Sequence, residues 1–495
     1  MAADAHGERA VSGDLNWLTA TEIGAAYAAR RLSPVDLVRA LINRIEAHNP
    51  RIGAFINIDT EGALAAAREA EREIFAGRAR GPLHGVPFGS KDNIDVAGQP
   101  TTCHSKILLD NVARNDAKVI GHLRASGAIL LGKQALHEFA FGGPCDELPF
   151  PYARHPWNTA YHPGGSSSGS GAALAAGFVP LSLGTDAGGS IRNPAGNCGV
   201  VGLKPTYGLL PLRGVFPVSF TLDHVGPMAR SVNDIALMLD ALAGGDAAGT
   251  DRDAAGRRSG ADLERGARGL RIGFVRHFHD GDMIADPEVG TALDEVARVL
   301  ERDGAIVTDV RLPRLQELAA VQRVILLAET WAVHRKWLCE RPGDYTTPTR
   351  RKVMPGAFLT AGDHLHAQQC RRQMIDAVED VFRDVDVLLT ASGMDAPFRI
   401  DDAAGLARTY PRQGRSPFNL TGHPALAMMS GLSKSGLPLS VQFVGRAFDE
   451  ATLLRAAAAY ERATNWCAYQ PRMNEQAASG ASTAERQHLH ATAVG

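Results

Sequence analysis

Cysteine is scarce and unpatterned in this chain. Six residues among 495 (Cys103, Cys145, Cys198, Cys339, Cys370 and Cys467) stand without a CxxC pair. That argues against a disulfide framework or a cysteine zinc site and suits a reducing cytoplasm. Charge imbalance is lacking too: the formal net charge of −2 offers no electrostatic basis for binding nucleic acid or an anionic membrane. Long apolar runs are missing. No segment reaches the ~18 residues of a membrane span, and the opening MAADAHGERAVSGD has no apolar leader core. The histidine pairs His277/His279, His364/His366 and His488/His490 have no third ligand at a matching spacing, so they read as solvated rather than metal-binding. No internal repeat is visible. What remains is 45% hydrophobic and 21% charged, the composition of a globular protein with a sizeable core.

Residues 1–14 and 476–495 are polar and low in aromatics, which predicts disordered ends around a domain spanning 15–475. From Thr19, two amphipathic helices are expected, broken at Ser33-Pro34, with Glu22 as capping-box partner of Thr19. Further helices are expected at 62–76, 117–126, 172–177, 232–243, 287–302, 315–340 and 364–382. Short apolar strands are expected at 128–131, 179–183, 270–275, 305–310 and 385–390, and the apolar stretch 83–88 leads into Lys91. Residues 244–270 read as an exposed connection. The alternation predicts an α/β fold with a largely buried sheet. The pair of long helices within 310–385 forms an accessory region over a core at 80–245.

That core holds the chemistry. Residues 164–208 read GGSSSGSGAALAAGFVPLSLGTDAGGSIRNPAGNCGVVGLKPTYG. Two Gly/Ser clusters bracket a helix and a strand, with 184–190 as a tight loop. Ser166 and Ser190 sit at the loop ends, where glycine lets a ligand approach a nest of backbone donors. Upstream, residues 85–94 read GVPFGSKDNI and carry Lys91. Spacing alone leaves Lys91, Lys133 and Lys204 open as partners of the serines.

These three motifs, in this order, resemble the amidase signature family, and the resemblance runs from about residue 15 to 466. FNLTGHPALAM (418–428) and GLPLSVQFVGR (436–446) are similar to that family's closing strands. The stretches 137–158 and 214–236 are similar to bacterial members that include aryl acylamidases and urethanases. The resemblance implies a central mixed twisted β-sheet covered on both faces by α-helices. It implies a Ser-Ser-Lys hydrolase needing no cofactor or metal. Ser190 is then the nucleophile, Ser166 the bridging serine after a cis peptide, and Lys91 the base. A lysine of ordinary pKa, ~10.4, is charged at neutral pH, so Lys91 has to be buried to act. The run Ala187, Gly188, Gly189 supplies the oxyanion donors, braced by Asp186 and Arg192, while Ser167 and Ser168 orient the loop. Phe141, Gly142 and Gly143 belong to the loop that lines the acyl pocket.

The sequence departs from the family pattern at Ala187 and at Asn193, Gly196 and Asn197. Small residues at 187, 188 and 196 are expected to leave room for a bulky group. Two rival motifs are weak. Gly165-Ser166-Ser167-Ser168-Gly169 fits G-x-S-x-G and would nominate Ser167, but HPGG rather than a strand precedes it. Residues 127–134, GAILLGKQ, lack the final Ser/Thr of a phosphate loop and read as a buried strand and turn. The expected activity is hydrolysis of small amides and of carbamates of aromatic amines, by a monomer or homodimer that binds neither nucleic acid nor membrane. The alternatives are the amidase subunit of a tRNA-dependent amidotransferase and a catalytically silent scaffold.

Overall fold

The apolar segment leading to Lys91 ends in a strand buried along its whole length, Pro87–Lys91. In the computed structural model, which describes residues 14–244 and 259–473, that strand is part of one sheet of eleven. In chain order the strands are β1 (Phe55–Ile58), β2 (Pro87–Lys91), β3 (Ile129–Gln134), β4 (Leu181–Asp186) and β5 (Val201–Lys204). They continue with β6 (His224–Ala229), β7 (Arg271–Phe274), β8 (Ile306–Asp309), β9 (Val387–Ala391), β10 (Ala425–Leu432) and β11 (Pro438–Gly445). Their spatial order is β1-β3-β2-β4-β6-β5-β10-β11-β9-β7-β8. The sheet is mixed: β2 runs parallel to β3 and β4, whereas β4–β6, β5–β10 and β10–β11 are antiparallel. The α/β architecture with a central mixed sheet flanked by helices is as expected.

Helix starts follow local chemistry. Thr19 and Glu22 close a reciprocal capping box on Ala20–Ala28. Ser33 caps Pro34–Ile52, with Pro34 at the first helical position, where its missing N–H costs nothing. The long helices Leu315–Glu340 and Ala361–Val381 pack on each other. The first of them leans on the Ala187 turn through Gln322, whose Nε2 donates to the Ala187 carbonyl at 3.0 Å.

Four sequence expectations shift. β4 extends through Gly184, Thr185 and Asp186, because all three pair with β6, so the loop is shorter than 184–190. The helix expected from Ala172 starts at Ser168, because Ser167 is its N-cap residue, and β3 runs on through Lys133. His277 and His279 are buried rather than solvated, and His279 stacks on Phe274. Burial lowers the pKa of both rings. The expected disordered ends at 1–14 and 476–495, apart from Asp14, which caps the short turn Leu15–Trp17, lie outside the described residues, as do most of the 244–270 connection and His488/His490. No described helix is long and apolar enough to cross a membrane.

Candidate active site

β2 and β4 are hydrogen-bonded neighbours, and their C-terminal ends carry the first pair of polar groups. Lys91, at the end of β2, is fully buried. Its Nζ lies 2.8 Å from Ser166 Oγ and 2.7 Å from Thr185 Oγ1. Burial lowers the Lys91 pKa to about 7, and the nearby Asp186 and Asp223 carboxylates oppose the fall. The two rival lysines are engaged elsewhere. Lys133 is ion-paired to Asp92 at 3.0 Å, and Lys204 Nζ donates to the Pro205 carbonyl at 2.8 Å. Of the three, Lys91 alone reaches a serine of the Gly/Ser core.

The Gly165-Ser166 peptide is cis. Ser167, next along, is buried and tied to β4, donating from Oγ to the Thr185 carbonyl at 3.2 Å and accepting from the Thr185 N–H at 3.3 Å. Its own N–H donates to the Ser190 carbonyl at 3.2 Å, which brings the two serine loops together. A side chain held this way is anchored to β4, and no strand leads directly into it, so the α/β-hydrolase elbow does not form. Ser168 Oγ approaches the Ala135 carbonyl at 3.5 Å. Ser190 is partly exposed, and its Oγ makes no hydrogen bond among the described residues.

The turn after β4 is built on Asp186. Its Oδ1 accepts the Gly189 N–H at 2.7 Å and its Oδ2 the Ile191 N–H at 3.0 Å. Gly189 is therefore already committed, unlike the sequence expectation for it. Among the described residues, the N–H groups of Ala187, Gly188 and Ser190 have no protein acceptor. Gly189 also holds φ at +122°, and a Cβ there would fall 2.7 Å from Arg415 Nε, so both backbone and space require glycine. Gly196 is small for a different reason from the one expected. A Cβ there would meet Ser440 Oγ at 2.6 Å, so its space is filled by β11 and leaves no room for a ligand.

Arg192 grips Asp186 with two bonds, Nη2–Oδ1 at 2.9 Å and Nε–Oδ2 at 3.1 Å. It also donates to Gln442 Oε1 at 2.7 Å and Asn419 Oδ1 at 2.6 Å. Burial alone would raise the Asp186 pKa, but Arg192 and the surrounding donors hold it well below the usual carboxylate range. Removing one member of a buried pair leaves an uncompensated charge, at about 3–5 kcal/mol. Arg192→Met is therefore expected to lower unfolding free energy by roughly that amount in denaturant titration. A loss below about 1 kcal/mol would mean that Asn419 and the turn amides alone suffice.

Phe139 is fully buried among Phe216, His334, Trp337 and Tyr345, so it is core. Phe141 is half-buried and packs against Leu136, Ala140, Ala187 and Val218, an apolar wall beside the turn. The Gly142 carbonyl accepts from Lys352 Nζ at 2.6 Å, and Gly143 faces open space. Sequence reasoning missed Thr185, Gln322, Lys352, Arg415, Asn419 and Gln442. Thr185 and Asn419 lie inside quoted motifs, GTDAGGS and FNLTG, whereas Gln322 and Lys352 come from the accessory region, where no motif marks them.

Comparison with known proteins decides the family. A family model described as Amidase matches residues 36–454. The chain belongs to the amidase signature family. It is similar to a glutamyl-tRNA(Gln) amidotransferase subunit of Chloroflexus aggregans, at 38% identity over 92% of this chain and 99% of that protein. Among solved structures, it resembles a chain from a vestigial protein complex described as revealing the origins of an s-triazine catabolic enzyme. That match has a TM-score of 0.84 and 33% identity, covering 90% of this chain and 99% of the other. It also resembles a bacterial aryl acylamidase of the same family, with a TM-score of 0.81 and 26% identity, covering 92% and 98%. As an amidase signature member, the chain is an enzyme acting on C–N bonds. Among its described residues, no three His, Cys, Asp or Glu side chains are grouped to hold a metal ion.

Proposed function

We propose that this amidase signature chain hydrolyses amide C–N bonds through an acyl-enzyme on Ser190. The supporting observation is the contact of Lys91 Nζ with Ser166 Oγ at 2.8 Å, made by a lysine whose burial brings its pKa to about 7. Such a lysine is neutral in a large fraction of molecules at physiological pH and can accept a proton. Ser190 Oγ attacks the carbonyl carbon, and the carbonyl electron pair moves onto its oxygen. The Ser190 proton passes to Ser166 Oγ as the Ser166 proton passes to Lys91. The amides of Ala187, Gly188 and Ser190 receive the oxyanion, each donor being worth about 3 kcal/mol in such sites. Collapse breaks the C–N bond, and the leaving nitrogen takes the proton back through the relay. Water then repeats the sequence on the ester. The scheme draws on no cofactor.

Two substrate readings share this chemistry. The apolar wall of Leu136, Ala140, Ala187, Val218 and Phe141 suits an aromatic group, as in anilides and carbamates of aromatic amines. A carbamate carbonyl is less electrophilic than an amide's, so it leans harder on oxyanion donors and base. Near full-length identity of 38% to the amidotransferase component supports the second reading, a glutaminase subunit passing ammonia to partner chains. A panel of acetanilide, a methylenedianiline dicarbamate and glutamine separates the two on purified protein. Aromatic amine released by the isolated chain supports the first. Glutaminase activity that appears only when partner chains co-purify supports the second.

A further inference from the structure

Against Gly189, in the turn that leads to Ser190, stands a buried cation that the proposed chemistry leaves unused. Arg415 is only 6% exposed. Its Nη1 donates to the Ser392 carbonyl at 2.8 Å and approaches the Ser392 hydroxyl at 3.4 Å. Its Nε is buried and has no hydrogen-bond partner, and its Nη2 makes none among the described residues. No carboxylate is ion-paired with it among those residues either. Asp186, whose charge acts on it, is occupied by Arg192 and Asn419. An unmade bond on a buried charged group is costly, so this edge gains from a partner of opposite charge.

The position of that edge matters. A Cβ on Gly189 would lie 2.7 Å from Arg415 Nε, so the guanidinium stands directly against the residue preceding Ser190. It is held there firmly: Arg192 Nη1 donates to the Arg415 carbonyl at 2.8 Å, coupling it to the Asp186 turn. The Nε–Nη2 edge of a guanidinium presents two parallel N–H groups whose spacing matches a carboxylate. Burial and the neighbouring Arg192 charge lower the Arg415 pKa to about 10, still cationic at neutral pH.

We infer that Arg415 is a specificity-determining residue, receiving on its Nε–Nη2 edge a carboxylate carried by the amide substrate a few bonds from the reacting carbonyl. The inference rests on the hydrolase reading above and adds to it the charge of the substrate. A preferred substrate then has two unlike ends, an apolar group toward Ala187 and Phe141 and an anion toward Gly189.

Matched pairs test this: glutaric acid monoanilide against pentananilide, and para-acetamidobenzoate against para-acetamidotoluene. At least one acid is expected to exceed its neutral partner about 30-fold in kcat/KM, the scale of a desolvated charge pair. Arg415→Met is expected to shrink that ratio to below about threefold, and Arg415→Lys to retain part of it. Glutarate or benzoate should also slow fluorophosphonate labelling of Ser190 in the native protein and not in Arg415→Met. Equal rates for acid and neutral partners without such protection, or an acid preference that survives in Arg415→Met, would overturn the inference while leaving the hydrolase reading intact. Absence of both turnover and Ser190 labelling removes the hydrolase reading itself, and this inference with it.

Discussion

Ser190→Ala is expected to lower amide turnover by a factor on the order of 10⁶ and to leave no covalent intermediate. Ser190 is the one group in the proposed scheme that bonds to the substrate carbon, so nothing else can stand in for it. Mass spectrometry after a fluorophosphonate should place the adduct on Ser190 in the native protein and find none in the variant. The competing serine is Ser167, whose hydroxyl is buried and bonded to the Thr185 backbone. An adduct on Ser167 would sink the assignment, because it would require that hydroxyl to leave both partners and emerge from the base of a helix.

Lys91→Met is expected to cost ~10²–10⁴-fold in kcat/KM, less than loss of the nucleophile. The residual rate comes from the oxyanion donors and substrate positioning, which the substitution leaves in place. A second signature separates a lost base from a damaged fold. With a free-enzyme pKa of about 7, Lys91 is charged and unable to accept a proton below that value, and neutral above it. Native kcat/KM should therefore rise from pH 6 to pH 8 with unit slope in its acid limb and level off beyond. In Lys91→Met that limb should disappear, with unfolding little changed, since methionine fills the same buried stem. A native profile that falls across this range would exclude Lys91 as the base.

Much of this site was legible because its pieces are short, local patterns. GVPFGSKDNI carries Lys91, and the Gly/Ser core carries both serines and the oxyanion turn. The reason Lys91 rather than Lys133 or Lys204 serves was not legible from spacing. It depends on β2 lying beside β4, which brings Thr185, 94 residues away, onto the same amine. The same limit hid Gln442, which reaches Arg192 across 250 residues because β11 lies near the middle of the sheet. β6 escaped notice because Gly226 and Pro227 weaken its strand signal, although both stay in register with β4, opposite Gly184 and Leu183. Gly189 was assigned as a free donor because sequence cannot show that Asp186 turns back to claim its N–H.

The strand order has a consequence for how this protein can change. Lys91 and Thr185 stand on adjacent strands, so the distance between them is set by the spacing of a buried ladder, about 4.8 Å per strand. No loop needs to be tuned to maintain it. The groups gathered around the turn and the Phe141–Gly142 loop come instead from outside that ladder: Gln322 and Lys352 from the 315–381 region, Phe141 from the loop after β3, and Arg415 from the loop before β10. Reactivity and selectivity are thus inherited through separate parts of the chain. Insertions, swaps or wholesale replacement in the outer segments can redirect the enzyme to new molecules while Lys91 and Thr185 stay in register.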